Sequence, residues 1–256
     1  MKNAAAVGAA IATAGDLNGD GLDDIAVGGT RAGPNGSAFV VYGRQVGREG
    51  PLDLMSMAPE DGFRVAGLPW PIGGFGATLA GGEDIDGDGH DDLAIGSWSN
   101  LVAVIRGRND LFPATVSAQT MSADLGFQIW SQGSDYSSIA SLQFLPDQNG
   151  DGRQELIVAV PEFRPQDAAS SFVVFSRDRR FRKMEPLEAL APGQGYRIDA
   201  PGGYFYEGIE LTVADLNADG LSDLVFFYWK PGKKAGKQGA PGVYVILGRE
   251  AARAAR

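Results

Sequence analysis

Cysteine is missing from all 256 residues, and histidine occurs once, as His90. Without thiols there is no disulfide, no thiolate metal site and no Cys-His nucleophilic pair. A Ser-His-Asp triad would have to recruit His90, and no Gly-x-Ser-x-Gly elbow presents a serine to it. No apolar run approaches the roughly 18 residues of a membrane-spanning helix. The opening Met1-Lys2-Asn3-Ala4-Ala5-Ala6 is too short for a signal peptide, so either none exists or it has been removed. Helical periodicity is hard to find ahead of the Ala/Arg-rich tail, Arg249 to Arg256. What the chain has in quantity is glycine (37) and proline (14), which suits many short strands joined by turns.

Against that background one acidic pattern of nine residues returns four times. It runs Asp16-Leu17-Asn18-Gly19-Asp20-Gly21-Leu22-Asp23-Asp24, and then Asp84-Ile85-Asp86-Gly87-Asp88-Gly89-His90-Asp91-Asp92. Asp147-Gln148-Asn149-Gly150-Asp151-Gly152-Arg153-Gln154-Glu155 and Asp215-Leu216-Asn217-Ala218-Asp219-Gly220-Leu221-Ser222-Asp223 complete the set. The copies begin 68, 63 and 68 residues apart, the mark of a repeat protein with one loop per unit. Oxygen-bearing side chains occupy positions 1, 3, 5 and 9, and glycine occupies position 6, every time. A hard cation such as Ca²⁺ takes about six to eight oxygens, and alternate residues of a curled loop converge on one ion. The expected ligands are therefore the side chains at positions 1, 3, 5 and 9 with the position-7 carbonyls of Leu22, His90, Arg153 and Leu221. Mg²⁺ fits less well, because it keeps several waters in a strict octahedron.

An EF-hand would carry its last acid at position 12 and continue into a helix. Here position 12 is Val27, Ile95, Val158 or Phe226, within runs that read as strands. Asp, Asn and Gly also make ordinary hairpin turns. Four copies in register favour the metal loop, with about four Ca²⁺ ions per chain as the expectation.

Each loop sits between recurrent apolar runs. Small-residue strands precede it: Val7 to Thr13, Phe75 to Ala80, Ser138 to Phe144 and Tyr206 to Val213. Ile25 to Gly28, Leu93 to Gly96, Leu156 to Val160 and Leu224 to Tyr228 follow it, and then Ala38 to Gly43, Leu101 to Gly107, Ser171 to Phe175 and Gly242 to Gly248. A Gly-Phe/Tyr strand closes three units, at Gly62-Phe63-Arg64-Val65, Gly126-Phe127-Gln128-Ile129 and Gly195-Tyr196-Arg197-Ile198. Four antiparallel strands per unit at a period near 65 read as the blade of an all-β propeller.

Phe75-Gly76-Ala77 followed by the loop from Asp84 to Asp92 and Leu93-Ala94-Ile95-Gly96 resembles the FG-GAP repeat of integrin α-subunit propellers. The resemblance extends over almost the whole chain, although the Phe-Gly pair is intact only in the second unit. Elsewhere it reads Val7-Gly8, Ser138-Ile139 and Tyr206-Glu207. The resemblance implies a calcium-stiffened propeller that acts outside the cytoplasm, secreted or at the cell surface, in binding or adhesion and not in catalysis.

The expected organisation is one propeller domain with repeats at about 1–67, 68–131, 132–200 and 201–249 and a tail at 250–256. The Gly-Phe/Tyr strand lies about 20 residues ahead of each later loop, so a first copy would fall before Met1. Two arrangements follow, a four-bladed ring with a three-stranded last blade or a portion of a longer propeller. The ring is the one favoured here.

The net charge of −10 is concentrated in the loops: 15 of the 32 acids lie there, and four bound Ca²⁺ would bring the protein near −2. Two basic clusters stand out, Arg177, Arg179, Arg180, Arg182 and Lys183, and Lys230, Lys233, Lys234 and Lys237. They read as solvated loop charges or as a patch for an anionic polysaccharide or acidic protein. No base-stacking aromatics interleave with them, which disfavours nucleic acid. Trp70, Trp98, Trp130 and Trp229 pack in the core or at the rim, or line a sugar site, with Trp98 and Trp229 near one face. The first expectation is a protein-binding or adhesion module, and the second is a glycan-binding module working with an exported hydrolase or lyase. An enzyme would need acids outside the loops, such as Glu162, Glu207 and Glu210, to converge in one cleft.

Overall fold

A glycine with positive φ stands at the entrance of the first two repeats, Gly8 at φ 91° and Gly76 at φ 86°, and the chain becomes regular strand only after it. The computed structural model describes residues 7–47, 50–68, 73–132, 138–139, 141–160, 170–178, 181–199, 210–230 and 240–248. Their β-branched and aromatic runs form seventeen strands, and among the described residues there is no α-helix, only the single 3-10 turns Leu54–Ser56 and Leu187–Ala189. The protein is all-β, as its sequence implies.

In chain order the strands are β1 (Ile11–Gly15), β2 (Asp24–Gly29), β3 (Ser37–Val41) and β4 (Gly62–Ala66), which pair antiparallel in sequence. β5 (Thr78–Glu83), β6 (Asp92–Gly96), β7 (Leu101–Ile105), β8 (Thr115–Ser117) and β9 (Gly126–Trp130) follow. Then come β10 (Ser141–Leu145), β11 (Glu155–Val160), β12 (Ser170–Val174), β13 (Met184–Pro186) and β14 (Gly195–Asp199). The last are β15 (Glu210–Ala214), β16 (Asp223–Lys230) and β17 (Ala240–Ile246). They assemble into four sheets, ordered β1-β2-β3-β4-β8, β5-β6-β7-β9-β13, β10-β11-β12-β14 and β15-β16-β17. This succession of small antiparallel sheets is consistent with propeller blades.

Two details differ from the sequence reading. In the first two repeats the strand ahead of the loop starts later than its apolar run, because Gly8 and Gly76 interrupt it. The first two sheets also have five strands where four were expected. The fifth is borrowed from the next repeat: β8 lies parallel to β4 and β13 lies parallel to β9. The Gly-Phe/Tyr strand owes its glycine to close approach. A Cβ on Gly62, Gly126 or Gly195 would fall 1.9, 2.0 or 2.1 Å from the carbonyl oxygen of Val40, Val104 or Val173.

The sheets stack face to face in chain order. Ala26, Val40, Phe63 and Val65 of the first sheet meet Leu93, Ile95, Ala103 and Ile105 of the second in one core. The other face of the second sheet, with Ala94, Val104 and Ile129, meets Leu142, Leu156, Val158 and Phe172 of the third. The third in turn packs Ile157, Ala159 and Val173 against Leu224, Val213 and Ile246 of the fourth. The expected four-bladed ring is not closed, for Ile11 and Ile25 on the far face of the first sheet and Val243 and Val245 on the fourth are all exposed. The sequence pattern specifies the blade, but closure depends on twist between blades, which no residue pattern reports.

Candidate metal centres

Each acidic loop joins the first and second strands of its sheet, and its geometry follows from the position-1 carboxylate. Asp16 accepts hydrogen bonds from the backbone N–H of Asp20 at 2.9 Å and of Gly21 at 2.8 Å. Asp84 accepts from Gly87 and Gly89, both at 2.7 Å, and Asp147 from Gly150 and Gly152, both at 2.6 Å. Asp215 does the same with Asp219 at 3.1 Å and Gly220 at 3.0 Å. These bonds curl the chain round one carboxylate. The curl requires left-handed backbone at position 6, where φ is 86° at Gly21, 89° at Gly89, 84° at Gly152 and 86° at Gly220. The position-5 acid takes the next N–H, so that Leu22, His90, Arg153 and Leu221 donate to Asp20, Asp88, Asp151 and Asp219 at 2.8–3.0 Å.

The position-9 acid lies at the start of the second strand and is buried in every loop. Asp24 accepts from Leu17 N–H at 3.2 Å and from Gly43 N–H, at the end of β3, at 2.9 Å. Asp92 bonds Ile85 and Gly107 in the same way, and Asp223 bonds Leu216 and Gly248. Position 9 therefore fastens the loop to the sheet, besides facing the loop interior. Glu155 is one methylene longer and holds Gln148 N–H at 2.8 Å and the Asn149 amide at 3.0 Å.

Carboxylate oxygens converge in two of the loops. Those of Asp84, Asp86 and Asp88 lie within 4.8 Å of one another, as do those of Asp147, Asp151 and Glu155. The first loop has Asn18 at position 3 and the fourth has Asn217, and among the described residues no triplet of acids gathers as closely there. In both loops the asparagine amide donates to the position-5 acid instead, Asn18 to Asp20 at 3.0 Å and Asn217 to Asp219 at 2.8 Å. The position-3 side chain is buried in the first three loops and exposed in the fourth. An oxygen-only donor set of this kind fits a hard divalent cation. The side chains at positions 1, 3, 5 and 9 would hold it, and the ion would supply positive charge and cross-links between loop residues.

Burial makes these acids unusual. It pushes the Asp24 carboxyl up to about 7, with Asp20 and Asp16 adding repulsion and the Gly43 and Leu17 N–H groups opposing. Burial raises Asp92 well above the ordinary carboxylate range, assisted first by Asp86. It takes Glu155 up to about 8, the Gln148 N–H opposing and Asp147 and Asp151 assisting. In the metal-free chain burial thus favours the protonated form at Asp24, Asp92 and Glu155, and a bound cation would favour the deprotonated one.

Several neighbours were not legible as site residues. Arg106, at the end of the third strand of the second sheet, forms a buried ion pair with Asp86 and lies 5.3 Å over the Phe127 ring. The second loop is the one with a third carboxylate at position 3, and it alone has an arginine behind it. Tyr42 and Leu247 occupy the corresponding places beside Asn18 and Asn217. Aligning the repeats would have revealed the pair as a charge in an otherwise apolar strand. The loops also touch across sheets. Asp91 accepts the Asp16 N–H at 2.9 Å, and the Gln148 amide donates to the Ser222 carbonyl.

Other candidates scatter. Arg177 is drawn inward, bonded to Glu185 at 3.1 Å and 4.2 Å over the Phe181 ring, while its N–H donates to the Ile85 carbonyl at 3.1 Å. It joins two sheets, whereas Arg182 and Lys183 are exposed. Arg179, Arg180, Lys233, Lys234, Lys237, Trp70, Glu162, Glu207 and the tail lie outside the described residues, as do the side chains of Glu210, Trp229 and Lys230. Trp98 is partly exposed and its ring covers Gly74, while Trp130 is half-buried.

Repeated small sheets, each with an oxygen-lined acidic loop between its first two strands, define an all-β repeat protein with one acidic loop per unit. The FG-GAP repeat model matches residues 7–42 and 75–100, which lie in the first two repeats. It is similar to integrin alpha-PS2 of Drosophila melanogaster, 40% identical over 117 residues, which is 45% of this chain and 8% of that protein. Integrin alpha pat-2 of Caenorhabditis elegans is 32% identical over 137 residues, 49% of this chain and 11% of its own length. Integrin alpha-IIb of Mus musculus is 41% identical over 101 residues, 39% of this chain and 9% of its own. The chain thus spans about a tenth of the length of these curated relatives. No helix among the described residues is long and apolar enough to cross a membrane.

Proposed function

We propose that this chain is a calcium-binding, FG-GAP propeller-type module that acts outside the cytoplasm and binds a protein ligand in adhesion. About four ions are taken up, one per loop, by Asp16, Asn18, Asp20 and Asp24; Asp84, Asp86, Asp88 and Asp92; Asp147, Asn149, Asp151 and Glu155; and Asp215, Asn217, Asp219 and Asp223. The carbonyls of Leu22, His90, Arg153 and Leu221 complete the shells. The observation that carries the reading is the convergence of buried and half-buried acids on one point, as at Asp84, Asp86 and Asp88. Arg106 offsets one of these three charges, and packing the others so closely is unfavourable unless a further cation or protons offset them. The likeness to integrin alpha subunits supports the adhesion half. The ions have a structural role in this reading, and no chemical step is assigned to them.

Calorimetric titration of Ca²⁺ into chelator-stripped protein tests the metal half. The expected stoichiometry is near four, falling by one in Asp84→Ala/Asp88→Ala. Absence of binding heat would overturn it. A polysaccharide ligand is the second reading, favoured by the partly exposed ring of Trp98. Glycan-array binding lost in Trp98→Ala would select it over the protein ligand.

A further inference from the structure

Loop position 3 and the residue just after the third strand of the sheet vary together across the four repeats. Where position 3 is Asn18, Asn149 or Asn217, the residue after the strand is uncharged: Tyr42, Phe175 or Leu247. Where position 3 is Asp86, that residue is Arg106. Positions 1, 3, 5 and 9 hold three carboxylates in the first, third and fourth loops but four in the second. Counting the Arg106 guanidinium, −4 + 1 returns the second loop to the formal −3 of the others.

The guanidinium is held in place from several sides. Its Nε meets the Asp86 carboxylate, with Asp86 0% and the Arg106 side chain 8% exposed. One terminal nitrogen donates to the Ala123 carbonyl, and the guanidinium carbon lies 5.3 Å from the centre of the Phe127 ring. The Arg106 N–H donates to the Leu125 carbonyl at 3.0 Å, and the next N–H, of Gly107, donates to Asp92 at 3.0 Å. Two consecutive residues thus serve positions 3 and 9 of one loop. Arg153 also comes near this loop, at Gly87, but it is paired with the exposed Asp178 at 2.6 Å and adds no net charge.

Asp84, Asp86 and Asp88 converge on a point one carboxylate away from this fixed cation. Burial removes the water that would screen it, so it repels a second cation placed at that point. Ligand charge is also what tunes the affinity of an oxygen cage for Ca²⁺. We propose that Arg106 is an affinity-determining residue of the second loop, a built-in counter-charge that lowers its calcium affinity to that of a three-carboxylate loop. The inference rests on the calcium reading of the loops. Without the arginine, the ion alone offsets the Asp86 charge, and calcium binding gains what the ion pair gave up.

The experiment is calorimetric titration of Ca²⁺, against a competing chelator, into the stripped chain and four variants, with circular dichroism as the check on folding. Arg106→Gln keeps a hydrogen-bond donor for Asp86 but no charge. It is expected to bind one ion per chain roughly tenfold or more tightly than wild type. Arg106→Lys keeps the charge and is expected to match wild type. A second pair of variants lacks the buried carboxylate altogether. Asp86→Asn keeps the arginine and is expected to bind one ion roughly tenfold or more weakly than Asp86→Asn/Arg106→Leu, which has the position-3 and post-strand residue types of the fourth repeat. An affinity unchanged or lowered in Arg106→Gln overturns the proposal, because the arginine then only positions Asp86. Equal affinities in the second pair overturn it as well, and in both cases a wild type that binds calcium leaves the calcium reading standing. A wild type that takes up no calcium removes that reading and the proposal with it.

Discussion

Ala218 has φ 58°, the one positive φ outside glycine among the described residues. It stands at position 4 of the fourth loop, where the other loops have Gly19, Gly87 and Gly150 at φ 74°, 72° and 79°. A left-handed conformation costs an L-residue with a Cβ roughly 1–2 kcal/mol, and glycine returns part of that gain as extra unfolded-state entropy. Ala218→Gly is therefore expected to stabilise the chain by about 1 kcal/mol in equilibrium unfolding. Asp86 and Arg106 form the second case at this scale. Removing the arginine takes the one buried cation away from the Asp86 carboxylate, so Arg106→Leu is expected to cost about 3–5 kcal/mol in metal-free protein. Asp86→Asn/Arg106→Leu reproduces the Asn217 and Leu247 combination of the fourth repeat and is expected to recover most of that loss. If the double variant were no more stable than Arg106→Leu, the pair would not be the reason for the arginine.

At the level of elements, the loops were legible because four in-register copies leave little freedom in what positions 1, 3, 5, 6 and 9 do. The position-9 acid was legible as a loop residue, but its bonds to Gly43, Gly107 and Gly248 were not, since they join segments far apart in sequence. β8 and β13 were missed for a plain reason. Thr115-Val116-Ser117 and Met184-Glu185-Pro186 are too short to show alternation, one contains proline, and both pair with the preceding repeat. The borrowed strand is nonetheless well anchored. Ahead of β8, Phe112 stacks on Phe63 of the first sheet at 4.2 Å between ring centroids, and its N–H donates to the Tyr42 hydroxyl at 3.2 Å. Phe112→Ala is expected to cost about 3–5 kcal/mol in chemical denaturation, as for a core phenylalanine. A loss under about 1 kcal/mol, the range of surface changes, would show that this segment does not hold the two sheets together.

For the molecule as a whole, the proposed calcium sites and pH would act on the same buried carboxylates. The unfolded chain releases their protons near the ordinary values of 3.8 for Asp and 4.5 for Glu, whereas the folded, metal-free chain keeps them up to about 7 at Asp24 and about 8 at Glu155. The folded state binds more protons across that window, so metal-free stability falls as pH rises through it and levels off above about 8. Calcium requires the deprotonated form, so the stabilisation it gives is expected to be larger near pH 8 than near pH 6. Urea unfolding at both pH values with and without the ion checks this, and an equal calcium effect at both would contradict it. The stacked order of sheets fits this picture, because loops in contact across sheets, as Asp16 is with Asp91, would tie an ion held in one loop to the packing between sheets. The most direct measurement is the melting temperature of chelator-stripped protein as Ca²⁺ is added. Each occupied site adds about 2.7 kcal/mol at a hundredfold excess over its dissociation constant, so a steep, saturating rise is predicted. A melting temperature unmoved by calcium would mean that the four acidic loops are turns alone.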